Sequence, residues 1–176
     1  MSTLTSLMAQ IKTLAVGFQH NFGAGTVPVF RTVKIYDKEN FNRAAEDLLL
    51  IEKPALVLVY GGSSYKREGA ASVAGSTRKA NDRRTPQFLF FIADQAYGFE
   101  TQEAAALGDS NTRGAITILD LWRDRLALIN PKADWNLNVS PFEPVRDEVF
   151  PIDPEVGDAV VYSLTMQCGF YETAGA

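Results

Sequence analysis

One cysteine and one histidine in 176 residues remove much of the usual catalytic and metal-binding repertoire at the outset. Cys168 has no second cysteine with which to form an intrachain disulfide, which fits a reducing cytoplasm. His20 alone cannot furnish a His-rich metal site. No apolar run approaches the roughly 18 residues that a membrane-crossing helix needs. The opening stretch from Met1 to Ala15 lacks a signal peptide's basic start and continuous apolar block, and reads as an amphipathic helix. The Gly-x-Ser-x-Gly elbow of serine hydrolases is missing, as is the Gly-Lys-Ser/Thr ending of a phosphate-binding loop. A net charge of −4 is the wrong sign for a general nucleic-acid binder.

What is present is a chain 46% hydrophobic, enough for one globular domain over residues 1–176 with a sizeable core. Its most telling stretch is 64–84, between the apolar segments Ala55–Tyr60 and Phe88–Ala93. Six of the 17 basic residues lie there (Lys66, Arg67, Arg78, Lys79, Arg83, Arg84), against Glu68 and Asp82. The stretch carries +4 and the other 155 residues carry −8. A hairpin normally closes within about five residues. The sequence therefore predicts an extended basic loop or arm, too small-residued and polar to make a core of its own. Such an arm meets something outside its own domain. An acidic body with a cationic arm suits head-to-tail self-association, which closes into a ring when the rotation permits.

Periodicity supplies the rest of the fold. Leu4, Leu7, Met8, Ile11 and Leu14 predict a helix over 3–16, stopped by Gly17, with Gly23 and Gly25 keeping the next segment non-helical. Val27–Tyr36 alternates as one strand, with Pro28 at an edge or at its start. Asp37 caps a second helix to Leu50, ended by Lys53-Pro54. Ala55–Tyr60 and Pro86–Asp94 read as strands apolar on both faces, hence central. Residues 97–109 hold a short Ala-rich turn of helix between Gly98 and Gly108. A third helix, capped by Asp109 or Ser110, spans Thr112–Ile129, with Ala115, Leu119, Trp122, Leu126 and Ile129 on one stripe. Asn130-Pro131 stops it, Pro141–Phe150 is extended, and Asp158–Tyr171 closes the sheet with Val160, Tyr162, Leu164, Met166 and Cys168 inward. Strands arriving in pairs predict an α+β fold: a mixed or antiparallel sheet of four to five strands with helices packed on it.

Candidate chemistry is thin. Asn21-Phe-Gly-Ala-Gly-Thr26 precedes a strand, whereas a dinucleotide fingerprint follows one. Ser63 and Ser64 stand where nucleophiles could, but the sole histidine, His20, has no orienting partner in sight. Asp94, Asp120 and Asp124 are the best carboxylate set for a two-metal nuclease, although Asp120 and Asp124 lie among Arg123 and Arg125 like a solvated helix face. Cys168, in an apolar strand, reads as a small buried hydrophobe.

Taken together, the helix Leu4–Leu14, the strand Val27–Tyr36, the helix Phe41–Leu50, the Pro54–Gly62 strand with its arm, the partner Pro86–Asp94, the helix Ala115–Ile129, the Asp147–Pro154 segment and the closing strand Asp158–Tyr171 resemble a family. The chain is similar to the tail terminator (tail-completion, minor tail) proteins of long-tailed, Mu-like bacteriophages. The likeness covers nearly the whole chain and is one of architecture and texture, not of an invariant motif. It implies a structural virion protein: an α+β subunit forming a hexameric ring that caps the tail tube, terminates its growth and gives the face for head–tail joining. Its partners would be further copies of itself, the tail tube protein and the head–tail connector or neck protein, with DNA passing through the lumen. No enzyme activity, cofactor, metal, catalytic residue or membrane is implied, and the place is the virion tail, assembled in the host cytoplasm. Inter-subunit or tube contacts are assigned to Lys66, Arg67, Arg78, Lys79, Arg83 and Arg84 on charge and loop length alone. The alternatives are a neck or head-completion connector, the Asp94-based nuclease, and a nucleic-acid-binding module using the arm.

Overall fold

The structure is a computed structural model that describes residues 2–23, 25–36, 50–68, 81–95, 106–108, 113–149 and 159–173. The fold is α+β. Helix α1 (Thr3–Val16) begins where the Ser2 side chain accepts the Thr5 N–H, and it ends at Gly17, as the apolar spacing requires. Two short strands follow, β1 (Gln19–Asn21) and β2 (Thr26–Pro28), paired antiparallel.

The single strand expected over 27–36 is two. The chain bends at Val29 and Arg31, which lets Val29 and Phe30 both enter the core before β3 (Thr32–Tyr36). Pro28 accordingly ends β2, and β3 forms one edge of the main sheet. The helix expected over Asp37–Leu50 lies outside the described residues but for Leu50, as does the 97–109 turn but for 106–108.

Strands β4 (Ala55–Glu68), β5 (Asn81–Gln95), β6 (Glu143–Val149), β7 (Ala159–Gln167) and β8 (Phe170–Thr173) complete a six-stranded sheet. Its order is β3-β4-β5-β7-β6, with β8 also on β5; only β3 and β4 run parallel. The closing strand predicted as one piece breaks at Cys168–Gly169. There Ser140 donates its N–H to the Gly169 carbonyl and accepts the Gly169 N–H on Oγ, both at 2.8 Å.

One sheet face carries α1 and α2 (Ala115–Ala127). Leu56, Leu58, Phe88, Phe90, Ile92, Leu164 and Met166 meet Leu7, Ile11, Ile118, Trp122 and Leu126 there. The other face holds a smaller cluster of Val57, Val59, Phe91, Ala93 and Val161. Both central strands are therefore apolar on both faces, as their unbroken runs require. Cys168 is buried in the first cluster, and burial pushes its thiol up to about 12. The Asn130-Pro131 stop does more than end a helix: Asn130 caps a short helix α3 (Pro131–Trp135) by accepting the Lys132 and Ala133 N–H groups.

Trp122 is fully buried, its ring 5.5 to 6.0 Å from those of Phe18, Phe30 and Phe90. Among the described residues its indole N–H has no hydrogen-bond acceptor, so the contacts they make with it are apolar. Trp122→Ala should cost about 3–5 kcal/mol in urea unfolding. Trp122→Phe breaks no hydrogen bond and should cost under half of that; equal losses would assign the indole a polar role.

Candidate functional site

The arm begins where the sheet narrows. Strand β3 pairs with β4 only as far as Tyr36 opposite Val59, and β7 pairs with β5 only as far as Gln167 opposite Gln87. Beyond these points β4 and β5 continue against each other, from Gly62 opposite Gln87 to Glu68 opposite Asn81. Strand β8 lies along the far part, Phe170 opposite Arg84 and Thr173 opposite Asn81. Within the arm predicted over 64–84, residues 64–68 and 81–84 are paired strand rather than loop, and 69–80, with Arg78 and Lys79, lies outside the described residues. Tyr65, Lys66, Arg83 and Tyr171 are exposed along this three-stranded blade.

At the root of the blade the β4 ladder skips a residue between Tyr60 and Gly62, a β-bulge. Gly62 has φ +108°, a backbone state that glycine adopts without strain. The bulge brings Tyr60 and Ser63 together: their oxygens are 2.6 Å apart. Arg84 closes the group, donating from Nε to Ser63 Oγ (2.9 Å) and from Nη2 to Tyr60 Oη (3.1 Å). Its guanidinium also lies 5.5 Å from the Tyr65 ring and 5.8 Å from that of Phe170. Of the six cations assigned to outside contacts, Arg84 is therefore turned onto its own chain. Lys66 and Arg83 are exposed opposite each other on one face, and Arg67 holds a register position opposite Asp82. Charge and loop length could not separate Arg84 from the other five, because its partners arrive through the bulge and through β8.

At the other end of β5 stands Asp94, only 1% exposed. Its carboxylate accepts the Gly114 N–H (3.0 Å) and the Gln95 N–H (2.9 Å). Burial raises its pKa, opposed by those two hydrogen bonds and by the nearby Arg113. Asp94 thus pins the start of α2, whose N-cap Gly114 has φ +78° and makes no side-chain cap of its own. The sequence placed that cap at Asp109 or Ser110, three residues early for the helix and on residues outside the described set. Arg113 donates to the Pro28 and Val29 carbonyls and lies 5.0 Å from the Phe22 ring, so the β1–β2 hairpin is tied to the same point. Lys53, 2% exposed, donates from Nζ to the Ile51 carbonyl (3.3 Å). Burial lowers its pKa, and the charge of Asp94 pulls it back up.

The nuclease set does not converge. Asp120 and Asp124 lie six and ten residues beyond Gly114 on α2, about 9 and 15 Å along its axis. Both pair with Arg123 on the exposed side, at 2.8 and 3.0 Å. Among the described residues no three His, Cys, Asp or Glu side chains could hold a metal ion together. His20 sits on β1 with its ring 4.9 Å from Phe22, and Ser63 is held by Tyr60 and Arg84. An open cleft of about 570 Å³ lies beside the β1–β2 hairpin. The charged groups facing it are spent within the chain, Arg31 on Glu52 at 3.0 Å and Arg113 on backbone carbonyls. No helix of the described residues is long and apolar enough to cross a membrane.

With this geometry in view, the chain was compared with known proteins: no protein-family model matches it, and neither does any curated protein sequence. The molecule is defined by its architecture, an α+β body from which a cationic three-stranded blade extends.

Two outcomes test these roles. Asp94→Ala strands the Gly114 N–H and should cost about 1–3 kcal/mol. The raised carboxyl favours the folded state most when protonated. That contribution is complete below the ordinary value of about 4 and fades as pH rises through the folded pKa. The gap between wild type and variant in urea titrations should therefore narrow with rising pH; a gap that widens would mean a depressed carboxyl. Separately, Arg84→Ala should cost about 1–3 kcal/mol through two lost hydrogen bonds. A change within the noise of the melt would place Arg84 outside the blade's support.

Proposed function

We propose that this protein is a structural subunit of a homo-oligomeric ring, and that the ring caps the tail tube of a long-tailed bacteriophage and forms the joining face for the head. The observation that carries the self-assembly is the blade: a braced ladder carrying Lys66, Arg67 and Arg83 besides Arg84, built on a body of opposite charge. Its residues leave the core and gain little burial by themselves, so their stabilisation needs a neighbouring surface. The phage setting rests on the resemblance in architecture described above, to which the six-stranded mixed sheet and the helix-covered face are congenial. Tail tube protein and head–tail connector are the further partners this reading supplies, and it places the chain in the virion tail with no catalytic step.

The nuclease alternative loses support because its three carboxylates occupy unlike places: one buried as a helix anchor, two paired on a solvent face. The connector and nucleic-acid readings use the same blade and differ only in what it touches.

The test is imaging of the purified protein by negative-stain microscopy. Closed rings are expected, and they should bind the ends of isolated tail tubes. Replacing Lys66, Arg67, Arg78, Lys79 and Arg83 with Ser or Gln, while keeping Arg84, should leave folding nearly intact, since each surface change costs within about 0.5 kcal/mol. Ring formation should nevertheless be lost. Isolated particles from the wild type at high concentration, indifferent to tubes, would end this reading; binding to DNA that falls steeply with salt would replace it with the nucleic-acid one.

A further inference from the structure

Strand β6 is the sheet edge opposite β3, and it differs from every other strand in that all seven of its residues are exposed. Three of them are acids (Glu143, Asp147, Glu148) and one is a base (Arg146). Val145 and Val149 add apolar surface, 46% and 63% exposed. β3, by contrast, is half-buried along its whole length. Among the described residues no strand pairs with this edge, and beyond Pro144, which has no N–H, and the bulge before Arg146 it offers backbone donors and acceptors whose neighbouring charges decide what pairs there. A second β6 would bring one net −2 edge against another, which disfavours a symmetric pairing of like edges.

A second open edge exists on the other side of β5. Past Val59, the last residue opposite β3, strand β4 runs on from Gly62 to Glu68 with β5 on one side and no strand on the other among the described residues. This edge carries Tyr65, 61% exposed, with Lys66 and Arg67 after it. Acidic and cationic edges thus lie on opposite sides of one sheet, each with an exposed apolar side chain beside its charges.

We propose that β6 of one copy is the dock for the β4 edge of the blade of a second copy, so that the sheet continues from subunit to subunit. The partner of this acidic edge is the chain itself, chosen by charge. Since donor and acceptor edges are different surfaces, the contact is heterologous, the type that propagates around a ring. Backbone pairing supplies the attraction, and the Glu143/Glu148 against Lys66/Arg67 charges set which edge is accepted. The proposal rests on the self-assembly reading above and names the surface that reading leaves open.

A charge swap tests it, read by sedimentation velocity over a range of concentrations. Glu143→Lys with Glu148→Lys, and separately Lys66→Glu with Arg67→Glu, should each weaken self-association about tenfold or more by placing like charges together. The four changes combined in one chain should recover most of that loss, which a general disturbance of either strand would not do. Thermal melts of each variant should match the wild type, all four positions being on open strand edges. If the blade pair weakens association and the β6 pair does not, β6 is not the dock, while assembly through the blade stands. If the β6 pair alone weakens it, the blade is not what β6 accepts. Loss in both without recovery in the combination overturns the direct pairing. A wild type that never associates overturns this proposal together with the self-assembly on which it rests.

Discussion

The β4–β5 ladder is the constraint on which everything else in this protein depends. Through Ala55–Tyr60 and Phe88–Ala93 it is apolar on both faces, and it forms the middle of the sheet face on which the helices α1 and α2 pack. Past the Gly61–Gly62 bulge, which shifts the register by one residue, the same two strands turn polar and cationic and stay paired. Continuing a ladder costs less ordering than starting one, because the paired residues behind it are already fixed. A cationic segment that could not fold alone is thereby held extended by a core to which it contributes little.

Each end of β5 is secured by a different device. At the blade end, Arg84 gathers Tyr60, Ser63, Tyr65 and Phe170, joining β4, β5 and β8 through one guanidinium. At the body end, the buried Asp94 carboxylate accepts the N–H of Gly114, the N-cap of α2, and Arg113 beside it reaches the β1–β2 hairpin. A carboxylate at a helix start is favourable with the helix dipole as well as with the N–H group. Three charged side chains that composition alone counts as surface charges, Arg84, Asp94 and Arg113, are thus parts of the framework. The remaining charges on β4, β6 and the outer side of α2 lie at the surface, some of them paired with one another, as Arg146 with Glu148 and Arg123 with Asp120 and Asp124.

How these leftover charges are distributed bears on the function. A carboxylate cluster able to hold a metal would need its members brought together, but Asp94 is committed to α2 while Asp120 and Asp124 share Arg123. What the sheet does bring into relation is an acidic edge at β6 and a cationic edge at β4, on opposite sides of β5. In the proposed assembly such a pair of edges would join copy to copy, whereas within one copy the two lie on opposite sides of the sheet.

The amino-acid sequence by itself determined the elements whose side chains keep a period: α1 from Leu4–Leu14, the stripe Ala115–Trp122–Leu126 of α2, and the two central strands with both faces apolar. It also determined that cations concentrate in one stretch. Hydrophobic period is a local property, and burial follows it wherever a core exists to receive it. Only the tertiary structure decided that 64–68 and 81–84 are strand, since polar residues paired in solvent leave no apolar alternation to read. The same holds for Arg84 as a brace and for Asp94 as the cap of a helix twenty residues on. Each depends on partners brought near by the sheet, and distance along the chain carries no record of them.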